Sequence, residues 1–362
     1  MKIDGVDVSA YTVPTDAAEA DGTLHWDSTT LVLVRLRAGG QVGMGWTYGP
    51  PACASVVRDQ LSPVILGGDP LDIPRCCQAM VVATRNASRP GVVGYAISAV
   101  DIALWDLKAT LLGVPLHRLL GTVRDRAPVY GSGGFTSYDN VTLAGQLQGW
   151  VDAGIPRVKI KIGEAWGNEV ARDVARIALA REVIGDATEL FVDANGAYGR
   201  KQAIRVGDRL AEFGVDWFEE PVSSDDLEGL AAVRAVVRAD VTAGEYGSDA
   251  YYFRRMCQAG AVDCLQMDAT RCGGITEWLR AAGIAGAFGL QVSGHCAPHV
   301  HLAAALATPN FRHLEWFHDH VRIESMFFDG AADPTGGMIA PRDEPGLGLR
   351  LRGQDAEQYR VL

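Results

Sequence analysis

The sequence predicts an α/β protein, a TIM-type barrel preceded by an α+β unit, and three observations lead there. From about Pro128, eight short β-branched runs alternate with seven or eight amphipathic helical stretches, the pattern of a parallel sheet with helical crossovers. The chain has 362 residues, a length at which closure into a barrel suits such a sheet better than an open one. From the second strand onward, the strands end in ionisable residues spaced about one βα unit apart.

Each element has its own justification. Thr30 to Leu36 is a strand, Gly39-Gly40 a turn, and Val42 to Thr47 a second strand. Pro50-Pro51 opens a helical stretch. Ala96 to Leu112 carries apolar residues at helical spacing and stops at Gly113, with Pro115 beyond it. The barrel strands are expected at 129–130, 158–162, 190–193, 217–219, 241–243, 264–267, 290–293 and 313–315. Stretches such as KQAIRVGDRLAEFG and TEWLRAAGIAGAFG supply the helices between them.

Composition excludes several classes. Net charge is −11, so the basic footprint of a nucleic-acid binder is absent. No apolar run has the length of a membrane span, and the N-terminus lacks an apolar signal core. The seven cysteines form no CxxC pair and read as reduced thiols, which points to the cytoplasm. Only five of the 33 cationic residues are lysine, and two of those five, Lys159 and Lys161, sit two apart in an apolar run.

The strand ends carry the chemistry. From Lys161, the steps to Asp193, Glu219, Glu245, Asp268, His295 and Glu315 are 32, 26, 26, 23, 27 and 20 residues. Groups spaced by one βα unit meet at one mouth of a barrel, where barrel enzymes hold their active sites. Alternation in VKIKI points Lys159 and Lys161 inward together. Desolvation and mutual repulsion would lower the Lys161 pKa, and bringing it near neutrality takes roughly 4–5 kcal/mol of differential interaction. Such a lysine is a general base. Asp193, Glu219 and Glu245 come from adjacent strands, and three converging carboxylates suit Mg²⁺, although any one alone would more often be an arginine partner. Asp268 lies one strand before His295 and can orient its imidazole. Glu315 is either a hydrogen-bonding group at a substrate carboxylate or a surface acid. Phe317-His318-Asp319-His320 is HxH-like, but no third ligand of suitable spacing appears, so it is read as a loop.

The motifs VKIKIG, VDANGAY, WFEEP, TAGE, DATRCGG, SGHCAP and HLEWF, with SAVDIALWDLKATLLGVPLHRLLG in the N-terminal third, resemble the enolase superfamily, in particular its mandelate racemase subgroup. The resemblance implies a (β/α)7β-type TIM barrel with an N-terminal α+β capping domain. It divides the chain into a cap over 1–125, a barrel over 126–340 and a C-terminal return to the cap over 341–362. It implies one Mg²⁺ on Asp193, Glu219 and Glu245, and Lys161, tuned by Lys159, as base on one face of the substrate. His295, paired with Asp268, is then the acid or base on the other face. Glu315 contacts the enolate oxygens, and Asn195 lines the site. Asp268, where a lysine would mark the muconate-lactonizing and dipeptide-epimerase subgroup, argues against that subgroup. Loops near Asp21 to Asp27 and Trp46 to Pro50 are expected to close over a small carboxylate substrate, and the resemblance implies a homo-oligomer. The activity so implied is Mg²⁺-dependent removal of the proton α to a carboxylate. Dehydration of a sugar acid to a 2-keto-3-deoxy acid leads; racemisation or epimerisation of a 2-hydroxy acid is the alternative. A non-catalytic protein on the same fold is a third reading.

Overall fold

The computed structural model describes all 362 residues. Three antiparallel strands open the chain: β1 (Ile3–Ala20), β2 (His25–Ala38) and β3 (Gln41–Tyr48). β1 was not expected. Its polar residues Asp4, Asp7, Thr12 and Asp16 hide the apolar alternation, yet Val8 to Val13 pairs along β2 with Tyr11 and Val13 buried. The segment Asp21 to Asp27, expected as a loop, is also partly strand, since Trp26 and Asp27 lie in β2, while β3 covers the expected strand over Val42 to Thr47 with one residue more at each end.

A long helix, α1 (Val92–Leu112), packs on this sheet and ends at Gly113 in the left-handed conformation. The contact is close. A Cβ on Gly45 would lie 2.3 Å from the Ala99 carbonyl oxygen and 2.4 Å from the Ala103 nitrogen. Backbone cannot give way as a side-chain tip can, so this position needs glycine. Although α1 is long, no helix is long and apolar enough to cross a membrane.

The barrel follows. Its eight parallel strands are β4 (Ala127–Gly133), β5 (Arg157–Lys161), β6 (Glu189–Asp193), β7 (Val215–Glu219), β8 (Asp240–Ala243), β9 (Cys264–Met267), β10 (Gln291–Gly294) and β11 (Phe311–Phe317). They pair in sequence order, and β11 pairs with β4 to close the ring. Inward side chains alternate in height. Tyr130, Phe191 and Trp217 form an aromatic floor with Cys264. Two residues further along the same strands come Ser132, Asp193 and Glu219, so the polar groups stand on a dry base.

The segment from His318, expected as a loop, begins a helix instead, α2 (His318–Phe327). It joins the barrel to the cap: the Trp46 indole donates to Glu324 at 3.1 Å, and Arg322 donates to the Pro14 carbonyl at 2.8 Å. The chain's last residues run beside β1, with the Val361 amide donating to the Ala10 carbonyl at 2.8 Å and the Thr12 amide to that of Tyr359 at 2.9 Å. The substitution Gly45→Ala tests the close packing of β3 on α1. It is expected to cost about 1–3 kcal/mol, read as a lower midpoint in thermal unfolding.

Candidate active site

The strand register assembles the site. Lys161 lies opposite Asp193, and Asp193 opposite Glu219, across three adjacent strands. One carboxylate oxygen from each of Asp193, Glu219 and Glu245 falls within 4.8 Å of the others, and all three residues are buried. Glu245 Oε2 has no hydrogen-bond partner in the chain. Three oxygen ligands, all anionic, with one buried oxygen unsatisfied, fit a hard divalent cation such as Mg²⁺.

Lys159 stands behind this cluster and is fully buried. Its ammonium donates to both oxygens of Glu219 at 2.8 Å, lies 2.7 Å from Glu315 Oε1, and sits over the Tyr130 ring at 5.3 Å. Burial opposes its charge, but Glu219, Glu315 and Asp193 outweigh that and hold its pKa well above the ordinary lysine value. Lys161 donates to Asp193 Oδ2. Here the sequence expectation is corrected. Burial and Lys159 do lower the Lys161 pKa, but the Asp193 carboxylate in contact with it prevails, and the net shift is upward.

On the other side of the ring, His295 Nδ1 is 2.8 Å from Asp268 Oδ2. Its Nε2 is 3.5 Å from Glu245 Oε2. Burial disfavours the imidazolium, and Arg271 repels it, but Glu245, Asp268 and Glu315 raise its pKa overall. Asp268 is held below the usual carboxylate range: burial works against its charge, and His295 and Arg271 override it. Glu315 accepts from Ser132 Oγ at 2.6 Å and from the Cys296 amide at 2.9 Å, besides its contact with Lys159.

A cavity of about 370 Å³ opens between barrel and cap. Lys161, Asn195, Glu245 and His295 line it; Lys159, Asp193, Glu219, Asp268 and Glu315 pack behind them. All nine residues expected at the site are therefore gathered, but Glu315 faces its own partners rather than the cavity. Asn195 sits at φ +45°, and its side-chain oxygen is buried without a partner. Glu220, Cys296 and Ala297 also have positive φ, so backbone strain collects where the strands meet the mouth.

Some residues were missed. Arg271 is partly buried, with its guanidinium over the Tyr95 and Tyr246 rings at 5.8 and 5.5 Å from their centroids. It donates to Glu245 Oε1 at 3.1 Å and lies 3.5 Å from Asp268, linking the acidic cluster to the histidine pair. The available signal was its place three residues after Asp268 in DATRCGG. A third and fourth ligand-type group near His318 also escaped notice, because Asp16 and Glu19 come from β1, at the far end of the chain. Glu19 is buried behind Trp26, whose indole donates to it at 2.7 Å. Burial pushes its pKa up to about 8; Asp319 and Asp16 add to the rise, and Trp26 and Arg322 oppose it.

The comparisons with known proteins agree with this geometry. Residues 142–356 match the family model described as enolase C-terminal domain-like, and residues 8–121 match the mandelate racemase/muconate lactonizing enzyme N-terminal domain. The chain is 32% identical to the L-talarate/galactarate dehydratase of Salmonella typhimurium over 90% of its length and 81% of that protein's. That enzyme's structure, with Mg and L-lyxarohydroxamate, superposes with a TM-score of 0.92 at 29% identity, covering 100% of this chain and 93% of that one. The D-galactarolactone cycloisomerase of Agrobacterium fabrum is 31% identical over 100% of this chain and 99% of its own. A mandelate racemase/muconate lactonizing enzyme-like protein from Rubrobacter xylanophilus is 48% identical, with TM-score 0.96 and full coverage of both chains.

Two outcomes are expected. Glu245→Gln should weaken Mg²⁺ binding by at least about tenfold in calorimetry, since loss of even an outer-shell partner costs that much. Because Glu19 has a raised pKa in the folded chain, its contribution is fully present below about 4.5 and lost as pH rises through about 8. Urea unfolding of the parent should therefore show lower stability at pH 8.5 than at pH 5, and Glu19→Gln should flatten that difference.

Proposed function

The chain belongs to the mandelate racemase/muconate lactonizing enzyme family of the enolase superfamily, and from that premise we propose that it dehydrates a sugar acid to a 2-keto-3-deoxy acid. One observation carries the reading. Lys161, ending β5, and His295, just past β10 and held by Asp268, line the same cavity, with the Asp193, Glu219 and Glu245 carboxylates at the ends of β6, β7 and β8 between them around the ring. Mg²⁺ held by those three carboxylates would neutralise the substrate carboxylate, stabilise the charge that builds on it, and offset the Asp193 charge that keeps Lys161 protonated.

The chain's own groups do the rest. Lys161 or His295 takes the proton from the carbon bearing the carboxylate, and the C–H electrons become the new C=C bond. The C3–O bond breaks, and His295 Nε2, as imidazolium, gives its proton to the leaving hydroxyl, which departs as water. The enol then tautomerises to the keto acid. Asp268 stays ionised, orients the ring through Nδ1 and favours its charged form. Lys159 and Glu315 hold the carboxylate wall and the Cys296 backbone in position. Asn195 offers its unpartnered oxygen to a substrate hydroxyl.

The same opposed pair supports a second reading, racemisation or epimerisation of a 2-hydroxy acid, with one residue removing the proton and the other returning it. The proposal includes a cytoplasmic homo-oligomer with a cap over 1–125, a barrel over 126–340 and a C-terminal return over 341–362.

A sugar-acid panel incubated in D₂O with Mg²⁺ tests this. Keto acid released from at least one member is the expected result; deuterium at the α-carbon with no keto acid from any member would replace dehydration by the second reading. Lys161→Ala and His295→Asn should each lower kcat/KM by about 10²–10⁴-fold. Unchanged activity in both would overturn the assignment of Lys161 and His295 to the chemistry.

A further inference from the structure

The cavity has two chemically different ends. At the barrel end, Lys161, Arg271 and His295 supply positive charge, each already beside an acid. The cap end is built from Leu24, Trp26, Thr29, Thr30, Tyr48 and Phe317, with no lysine or arginine among them. His320, the one basic side chain there, is stacked on the Tyr48 ring with centroids 3.4 Å apart, and its Nδ1 has no partner. It is buried without an acidic hydrogen-bond partner, and burial keeps it neutral.

What charge this end carries is negative. Asp21 lines the cavity rim, and its carboxylate accepts from the Thr23 and Leu24 amides at 2.6 and 2.8 Å, so it is held in place by its own turn. Glu19, behind Trp26, has its pKa pushed up to about 8 and so adds little charge near neutrality. The nearby Arg322 does not line the cavity and is engaged by Asp319 and the Pro14 carbonyl. A second carboxylate on the substrate would thus be desolvated against an acid with no cation to receive it. A neutral alcohol would find hydroxyls, an imidazole nitrogen and aromatic faces.

From this asymmetry we propose that the substrate is an acid sugar with one carboxylate and an uncharged far end, an aldonate rather than an aldarate. The inference deepens the proposed function and rests on it for which end holds the reacting carboxylate. It also separates this chain from its talarate/galactarate-dehydrating relative, whose substrates are dicarboxylates.

Matched pairs differing only at the terminal carbon test it: gluconate and glucarate, galactonate and galactarate, arabinonate and arabinarate. With Mg²⁺ present, the preferred aldonate is expected to exceed its paired aldarate by at least 100-fold in kcat/KM for keto-acid release. An aldarate turned over as well or better would overturn the substrate class and leave the reaction standing. Calorimetric binding of the same pairs to His295→Asn makes the two failures distinguishable. If no acid yields keto acid or exchanges its α-hydrogen, the reaction falls, and the binding order still decides the class: tighter aldonates support it, tighter aldarates or no binding by either overturn it. Leu24→Arg places a cation at the neutral end and should narrow the aldonate-to-aldarate ratio at least tenfold; an unchanged ratio would count against the inference.

Discussion

The ammonium of Lys159 is the contact on which the site depends. The interior of this barrel holds Asp193, Glu219, Glu245, Asp268 and Glu315 at almost no solvent exposure. Anions in such a place are tolerated only when paired, because desolvation costs several kcal/mol for each. Lys159 touches both oxygens of Glu219 and one of Glu315, and stands 3.7 Å from Asp193. Truncating it would leave several acids uncompensated at once. Arg271 does a similar task on the other flank, between Glu245 and Asp268. Arginine suits that bridging geometry, whereas lysine's compact charge fits the narrow space above Tyr130.

The dry floor explains why the charges must be so carefully matched. Tyr130, Phe191 and Trp217 fill the barrel beneath the acids, and the Trp217 indole donates upward to Glu219 at 2.9 Å. Without water below, each carboxylate must find its partner sideways or in the cavity above. The positive φ angles of Asn195, Glu220 and Cys296 place the turns that aim side chains into that cavity. Such strain persists only where surrounding structure over-determines it, as the closed ring does here.

Much of this was readable from the sequence, for a definite reason. A strand's period of two and a βα unit's near-constant length fix which side chains share a face and a height, so Lys159, Lys161, Asp193, Glu219 and Glu245 could be grouped without coordinates. The misses have equally definite causes. The direction of the Lys161 shift was misread because lysine–lysine repulsion was weighed without Asp193, which lies directly across the ladder. Arg271 works from a loop, where no periodicity points. β1 was hidden because its polar residues break the apolar alternation. The helix from His318 and its contacts with the cap pair residues some 280 to 300 positions apart, such as Trp46 with Glu324, and local sequence carries no trace of them.

The seating of residues 359–362 beside β1 has a consequence for how the molecule is made. β1 is synthesised before the whole barrel, and the strip that hydrogen-bonds to it through Ala10 and Thr12 only after it. The cap sheet can form early as a hairpin, but one of its edges waits through the synthesis of the whole barrel for its cover. Pairings of such long sequence separation are slow to form and expose unpaired strand edges meanwhile. Completion of the cap is therefore timed by completion of the barrel, and the chamber between them closes only on a chain whose barrel strands already exist.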